Sequence, residues 1–259
     1  KNGSARVIFL VGREEQSRRR LSTEREERRI QEEAAQLGDI LQVDVKESYR
    51  QLVYKELVGF RWLAEMTNDA AFVMKADEDT VVDVDRLLSH LRFSFPSTLG
   101  RPSISCIILQ GIPPRRSPCS QWFVPEEVFG EAVFPAYCNG PVYVMRRQTL
   151  ASLVDASRSL KVFEVEDAFW TGVAARAAGV RRSCAAGVFS LRYETTSACG
   201  LFPGGSPALS AMPSHSHPEW NALSPSLALN STWQTLRGVA CRSTLAEIAA
   251  GFMSIFECL

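Results

Sequence analysis

Two carboxylates directly follow an apolar run. Residues 72–74 are Phe-Val-Met, and the next few residues place Asp77 and Asp79 two positions apart. In an extended segment both side chains would project to the same side, where they could share one hard divalent cation. The carboxyl ends of strands in open α/β sheets are common ligand sites. The pattern therefore predicts a metal ion bound to a diphosphate at this strand end.

Two other interpretations of this acidic segment remain open. Asp and Glu favour the first turn of a helix, so residues 77–85 could form an acidic turn that caps the next helix. The spacing Asp77-x-Asp79-x-Val81 also fits the nucleophile loop of haloacid-dehalogenase-like phosphatases, where the first Asp attacks phosphate. That fold needs the strand early in the chain and a later acidic motif, and the sequence meets neither condition.

A second acidic pair, Glu166 and Asp167, opens a helix predicted over residues 167–178. A carboxylate at the beginning of a helix can lie within hydrogen-bond reach of a hydroxyl group and take its proton. The same pair could instead complement the partial positive charge of the helix N-terminus. Spacing alone does not choose between a general base and a helix-terminal charge.

Apolar strands that alternate with amphipathic helices predict the scaffold of these carboxylates. Strands are expected at residues 6–11, 39–43, 70–74 and 104–110, and helices at residues 23–37, 49–66, 84–91 and 147–157. Thr23 and Glu26 form a capping box for the first helix, which should stop at Gly38. The alternation predicts an α/β fold with a mostly parallel open sheet flanked by helices. Residues 200–233 are rich in Ser, Pro and Gly and predict an irregular insertion.

Composition narrows the classes of function. The 29 basic and 29 acidic residues cancel, and no basic stripe is interleaved with aromatics, which argues against a nucleic-acid partner. No run reaches the roughly 18 to 20 apolar residues that span a bilayer. An apolar strand follows Lys1 almost at once, without a signal sequence. We therefore expect residues 1–259 to be a single-domain fragment whose first strand and any membrane anchor lie upstream.

The cysteines and two sequons bear on the cellular compartment. The seven cysteines lack the CxxC spacing of zinc sites and redox pairs. In a secretory compartment they could form up to three disulfides with one thiol left over, whereas in the cytosol they would be small buried apolar residues. The N-glycosylation sequons at Asn2 and Asn230 favour the secretory route.

Four segments, in the same order along the chain, resemble motifs of the β1,3-galactosyltransferase and β1,3-N-acetylglucosaminyltransferase family, glycosyltransferase family 31. The segment from Phe72 to Val82 is similar to the family's K-x-D-D-D-x-x-V strand end, with Glu78 in the middle position. Residues 38–42 and 48–49 are similar to its G-D-I-L-Q and D-S-Y motifs. Residues 122–145 resemble its K-W and Y-P-x-Y-C-S-G-G-G-Y-V-M segments, and residues 166–172 resemble E-D-V-x-x-G. Protozoan surface-glycan transferases share this order, and the chain resembles them more weakly.

The resemblance implies a GT-A fold and an inverting hexosyltransferase. Such an enzyme moves galactose or N-acetylhexosamine from a UDP-sugar to a glycan hydroxyl and forms a β1,3 linkage. The acceptor would be carried by a glycoprotein, glycolipid or phosphoglycan, and Mn²⁺ or Mg²⁺ would bridge protein and diphosphate. The expected location is the Golgi lumen, as a type II membrane protein. A non-catalytic relative that binds a glycan or UDP is the alternative.

The resemblance also assigns roles to individual residues. It implies that Asp167 is the catalytic base, that the metal ligands are Asp77, Asp79 and His215, that the donor-binding residues are Lys75, Asp77 and Glu78, and that the acceptor-binding residues are Glu166, Trp122 and Tyr137. Trp122 and Tyr137 could equally be core aromatics, and a histidine in a Ser/Pro loop such as His215 could simply be solvated.

The chain departs from the family pattern at two places. Pro141 and Val142 stand where the family has glycines, and they forbid the positive φ that glycine permits, so we expect a reshaped loop. The interval from Asp167 to Gly172 is one residue longer than the family pattern, which we expect to rotate the helix behind the base.

Overall fold

A computed structural model describes residues 4–13, 20–67, 69–93, 102–185, 189–190, 209–211 and 225–238. Its strands are β1 (Phe9–Arg13), β2 (Ile40–Lys46), β3 (Phe72–Ala76), β4 (Val81–Val82), β5 (Ser103–Leu109), β6 (Tyr137–Arg146), β7 (Arg181–Cys184), β8 (Phe189–Ser190) and β9 (Ser210–Ala211). Its helices are α1 (Arg20–Leu37), α2 (Leu52–Met66) after a 3₁₀ turn at Tyr49–Gln51, α3 (Val84–Phe93), α4 (Arg147–Ser157), a π-helix (Ala168–Ala174) that continues into α5 (Ala175–Ala177), and α6 (Pro225–Gly238).

The first unit is the expected strand, helix and strand, and β1 pairs with β2 in parallel. Helix α1 ends as predicted, because Gly38 adopts a positive φ of 66° and its N–H bonds to the Ala34 carbonyl at 3.0 Å. The capping box at Thr23 is wrong, since α1 begins at Arg20 and already includes Thr23. Helix α2 then packs on both strands.

The central sheet has the order β3-β6-β5-β7, and only its β5–β7 pair is parallel. Strand β6 lies between β3 and β5 and runs antiparallel to both. The expectation of a mostly parallel sheet therefore holds for β3, β5 and β7, which run in one direction, but it misses the antiparallel β6. The reason is that β6 was not predicted, because Asn139, Gly140 and Pro141 interrupt its apolar pattern.

The two faces of β6 support two layers of core. Tyr143 and Met145 face a large cluster with α2, α4 and the π-helix, in which Trp170 is fully buried and lies 5.1 Å from Phe60 between ring centroids. Val142 and Val144 face the opposite side, where Leu87 of α3 packs. Helices thus cover both faces of the sheet, as the alternation of strands and helices predicted.

A small three-stranded sheet, β4-β9-β8, lies beside α6. Val81 and Leu236 are buried together there, and the Arg86 side chain donates to the Leu236 carbonyl at 2.8 Å. The irregular insertion predicted over residues 200–233 is wrong from Pro225 onward, because α6 is helical. Most of the remainder of that segment lies outside the described residues.

A disulfide joins Cys106 of β5 to Cys138 of β6, and both residues are fully buried. Cys184 is disulfide-bonded as well, whereas Cys119 is an exposed free thiol. Disulfides persist in oxidising compartments, so these bonds favour the secretory route. Among the described residues, no helix combines the length and apolar character needed to cross a membrane.

Replacing both Cys106 and Cys138 by Ser is expected to lower the free energy of unfolding by about 3–4 kcal/mol, because the bond closes a loop with a sequence separation of 32. Urea unfolding followed by circular dichroism measures this change. Cys119→Ser is the matched control and should leave the midpoint unchanged. Equal midpoints for the double variant and the unsubstituted protein would show that the bond does not stabilise the fold.

Candidate active site

Lys75 lies one residue before the end of β3 and joins three other parts of the chain. Its Nζ donates to the Gly140 carbonyl of β6 at 2.7 Å and to Glu166 Oε1 at 3.3 Å, and it forms a very close ion pair with Asp77. The side chain is only 10% exposed. The ammonium group therefore holds together the end of β3, the middle of β6 and the segment before the π-helix.

The surroundings of Lys75 keep it charged in spite of its burial. Burial alone would lower the pKa of Lys75, but the negative charges of Glu56, Glu166 and Asp77 raise this pKa well above its ordinary value. The ammonium also lies 5.9 Å from the ring centroid of Tyr143, its partner across the β3–β6 pairing. A buried cation is stable only when such partners replace its lost hydration.

Glu166 and Asp167 are fixed at the beginning of the π-helix. The Asp167 N–H donates to Glu166 Oε2 at 2.6 Å, and the Ala168 N–H donates to Asp167 Oδ1 at 2.7 Å. Burial and the adjacent charge of Glu166 raise the pKa of Asp167 to about 7, against the opposing effects of the Ala168 amide and Lys75. Asp167 therefore caps a helix and is also a carboxyl group that exchanges a proton near neutral pH.

Gly140 provides the space in which these carboxylates sit. A Cβ built on Gly140 would lie 3.2 Å from Glu166 Oε1 and 3.4 Å from Asp167 Oδ2. Gly140 belongs to one of the family-like motifs but was not predicted as a site residue. Because Gly140 has no side chain, the backbone of β6 can lie directly against both carboxylates.

The segment after β3 turns sharply instead of continuing as a strand. The Thr80 N–H bonds to the Asp77 carbonyl at 3.0 Å, and the Asp77 N–H bonds to the Pro141 carbonyl at 2.9 Å. The premise that Asp77 and Asp79 project to the same side of an extended chain is therefore wrong. Glu78, between them, is exposed.

Carboxylate oxygens are the ligands that Mg²⁺ and Mn²⁺ prefer, so Asp77 and Asp79 fit such an ion in their chemistry. Within the described part of the chain no group of three or more His, Cys, Asp or Glu residues could hold a metal ion. Mg²⁺ commonly binds through one or two carboxylates together with substrate phosphates, so a larger protein cluster is not needed. His215, the other predicted ligand, lies outside the described residues.

Two aromatic side chains are linked near the acidic groups. The Trp122 indole N–H donates to the Tyr49 hydroxyl at 2.8 Å, and the two residues are 46% and 52% exposed. Burial raises the pKa of Tyr49, and the charges of Glu166 and Asp167 raise it further, so this pair lies within electrostatic reach of the acidic cluster. Tyr49 belongs to the segment that resembles the D-S-Y motif but was not predicted as a site residue.

Trp122 also lines a cleft of about 510 Å³ together with residues 113–117 and Ser120. None of the site carboxylates lines this cleft. Tyr137, in contrast, is 6% exposed and packs edge-on against Phe134 with ring centroids 5.8 Å apart. That position favours the core interpretation of Tyr137.

A family model for galactosyltransferases matches residues 1–185, the part of the chain that contains all of these contacts. The chain belongs to the galactosyltransferase family. The resemblance found in the sequence motifs is thereby confirmed.

Curated relatives of this galactosyltransferase-family chain carry related names. It is 30% identical over 164 residues to a human N-acetyllactosaminide beta-1,3-N-acetylglucosaminyltransferase 3, covering 63% of this chain and 42% of that protein. It is 29% identical over 169 residues to human beta-1,3-galactosyltransferase 5, covering 65% and 51%. It is 29% identical over 180 residues to a Lactosylceramide 1,3-N-acetyl-beta-D-glucosaminyltransferase of Xenopus tropicalis, covering 68% and 45%. The chain spans about half the length of the curated relatives it matches.

The π-helix accounts for the extra residue between Asp167 and Gly172. A π-helix bonds residue i to residue i+5, and the Ala175 N–H accordingly bonds to the Trp170 carbonyl. The wider turn absorbs one inserted residue, and Gly172 still packs against β6, where an added Cβ would lie 3.1 Å from Tyr137 Cβ. Thr171 stabilises the contact between the π-helix and β6. Its Oγ1 accepts from the Cys138 N–H at 2.8 Å and donates to the Asp167 carbonyl at 2.6 Å.

Pro141 and Val142 likewise occupy a strand and not a reshaped loop. Both lie in β6, and Val142 pairs with Ala76. The β5–β6 pairing shifts register between Cys106 and Ile108, which relieves Pro141 of the need to donate a ladder hydrogen bond to β5. In this galactosyltransferase-family chain the Pro141 carbonyl instead accepts from Asp77 and Thr80 at the site.

Gly140→Ala is expected to destabilise the fold by about 1–3 kcal/mol, because the new methyl group would push on the buried carboxylates of Glu166 and Asp167. Chemical denaturation of purified protein measures the loss. Gly130→Ala is the control, since its Cβ would meet only the Glu126 carbonyl at an ordinary 3.4 Å. An equally small effect of both substitutions would contradict the tight packing assigned to Gly140.

Proposed function

We propose that this chain contains the catalytic site of an inverting hexosyltransferase that moves galactose or N-acetylhexosamine from a UDP-sugar to a glycan hydroxyl, forming a β1,3 linkage. The observation that carries the proposal is Asp167, a fixed and partly buried carboxyl group with a pKa of about 7 beside Glu166 and Lys75. Membership of the galactosyltransferase family and the names of the relatives support it. We further propose the GT-A arrangement for the complete fold.

In this proposal Asp167 is the general base. The Ala168 amide orients its carboxylate, and a base with a pKa near the working pH is efficient in proton transfer. Asp167 takes the proton of the acceptor hydroxyl while that oxygen forms a bond to the anomeric carbon. The bond from the anomeric carbon to the diphosphate breaks on the opposite face, and UDP leaves with the electron pair. This geometry inverts the configuration at the anomeric carbon.

The donor side lies at the turn after β3. Asp77 and Asp79, with His215 as the further proposed ligand, would hold Mn²⁺ or Mg²⁺, which when bound supplies a Lewis acid for the charge of the departing diphosphate. Glu78 is exposed at the tip of this turn, where it can face the donor. Lys75 contributes to donor binding by holding Asp77, because its own ammonium group is enclosed by carboxylates.

The acceptor side lies around Glu166 and the exposed ring of Trp122. Glu166 accepts from Lys75 and from the Asp167 amide, so its carboxylate is held in one orientation beside the base. Trp122 offers a flat apolar face to a sugar ring, and its hydrogen bond to Tyr49 fixes that face. Tyr137 is a weaker candidate for this role because its ring is buried.

We place the activity in the Golgi lumen. The buried disulfide between Cys106 and Cys138 supports an oxidising compartment, and the glycan acceptor on a glycoprotein, glycolipid or phosphoglycan would be met there.

Asp167→Asn is expected to reduce transfer by about 10²–10⁴-fold, because the amide cannot accept the acceptor's proton. UDP release from UDP-galactose, UDP-N-acetylglucosamine and UDP-N-acetylgalactosamine, with simple glycoside acceptors and with or without Mn²⁺, provides the measurement. Asp155→Asn, on the exposed side of α4, should retain full activity. UDP binding without release by the unsubstituted protein would favour the non-catalytic relative, and phosphate-ester hydrolysis would favour the phosphatase.

The pH dependence of kcat/KM should follow the ionisation of Asp167. Because the base must be deprotonated, kcat/KM should rise with pH, with a midpoint at about 7. Glu166→Gln removes the neighbouring negative charge that raises this pKa, so the midpoint should move to lower pH even though the rate itself falls. A pH profile that is flat from pH 5.5 to 8.5, or a midpoint unmoved by Glu166→Gln, would argue against Asp167 as the base.

A further inference from the structure

Helix α2 buries one charged residue on the face that packs against the core. The buried residues of this helix are Val53, Glu56, Gly59 and Phe60, which follow the spacing of a single helical stripe. Glu56 is 3% exposed. An apolar residue usually occupies such a position, so the burial of the Glu56 carboxyl group needs a physical explanation.

Glu56 gains little from its own hydrogen bonds. Neither of its carboxyl oxygens has a hydrogen-bond partner among the described residues, and its ion-pair partner is Lys75, with Nζ 3.9 Å from Oε1. A buried carboxyl without hydrogen bonds destabilises a fold compared with an apolar side chain of the same volume. Stability therefore does not explain the presence of Glu56.

Lys75 is the group that Glu56 acts on. Around this one ammonium group lie the carboxyl groups of Glu56 from α2, Asp77 from the end of β3, and Glu166 from the beginning of the π-helix, with Asp167 next in range. Burial, followed by the charge of Glu166, raises the pKa of Glu56, and the nearby Lys75 opposes this rise. Asp77 and Glu166 approach Lys75 from the site, whereas Glu56 approaches it from the helix layer.

We propose that Glu56 is a positioning residue for the transfer reaction, which holds the ammonium group of Lys75 from the α2 side so that Lys75 keeps Asp77 and Glu166 in place. The inference rests on the proposed function, because it assigns Glu56 to the same site. Without Glu56, Lys75 would be attracted only by Asp77, Glu166 and the Gly140 carbonyl, and its ammonium group would shift toward them. The base at Asp167 and the donor-side carboxylate at Asp77 would then no longer be held at a fixed separation.

Glu56→Gln tests this role because it retains the size of the side chain and removes its acidic carboxyl group. We expect kcat to fall by about tenfold, since small displacements of reacting groups are costly, while the donor KM changes by less than about twofold. The thermal unfolding midpoint should stay the same or rise, because the substitution removes one of several acidic groups from a buried cluster. Glu56→Asp keeps the carboxyl group but withdraws it by one methylene, and its kcat should lie between those of Glu56→Gln and the unsubstituted protein.

The matched control is Glu131→Gln, which removes a carboxylate from an exposed ion pair with Arg176 and should leave kcat unchanged. An unchanged kcat in Glu56→Gln would overturn the inference. A Glu56→Gln protein that fails to fold, or that loses stability and activity together, would also overturn it, because Glu56 would then be a structural residue.

A readout that does not depend on turnover separates this inference from the proposed function. In protein labelled with ¹⁵N-lysine, the buried ammonium group of Lys75 should give a protected NMR resonance, assigned with Lys75→Arg. Glu56→Gln should shift or broaden that resonance, whereas Glu131→Gln should not. If the unsubstituted protein transfers no sugar, the proposed function fails, and the NMR result still decides whether Glu56 positions Lys75.

Discussion

A buried ammonium group surrounded by carboxylates is the interaction on which the rest of the site depends. Lys75 is held at the end of β3 by the Gly140 carbonyl and by carboxylates from separate elements. Each of those groups carries a negative charge or partial charge that would repel the others if the cation were removed. The charge of Lys75 therefore links β6, the turn after β3 and the beginning of the π-helix. The local backbone places the negative groups of all three elements around this one cation.

The cluster destabilises the fold at neutral pH, which supports the role proposed for Asp167. The pKa of Asp167 is about 7 in the folded chain, against an ordinary value of 3.8, so the folded chain binds this proton more tightly than the unfolded chain does. The contribution of Asp167 to stability is therefore greatest below about pH 4 and is lost as pH rises through about 7. Burial and the negative charge of Glu166 both oppose ionisation, and a fold selected for stability alone would avoid this pairing. Proton transfer near neutral pH is the chemistry that such a perturbed carboxyl group serves.

Local patterns in the sequence predicted the local elements, while contacts between distant segments had to come from the structure. Gly38 ended α1 as expected, and the apolar run before Asp77 became β3, because glycine geometry and apolar runs act over a few residues. The acidic pairs at residues 77–79 and 166–167 were found from composition and order. The roles of Gly140, Tyr49 and Glu56 were not found, since each depends on a partner brought near by the fold. Strand β6 was missed because its pairing partners, and not its interrupted apolar pattern, make it a strand.

The departures from the family pattern show how a site can be retained while the chain around it changes. One additional residue after Asp167 would rotate an α-helix by about 100°, yet the π-helix widens its turn and keeps Gly172 against Tyr137. Pro141 replaces a flexible residue, yet the register shift between β5 and β6 accommodates it, and its carbonyl anchors Asp77. In both places the backbone accommodates the change, and Asp77 and Glu166 both contact Lys75. The arrangement of charges around Lys75 thus constrains this part of the fold more strongly than the identity of the neighbouring backbone residues does.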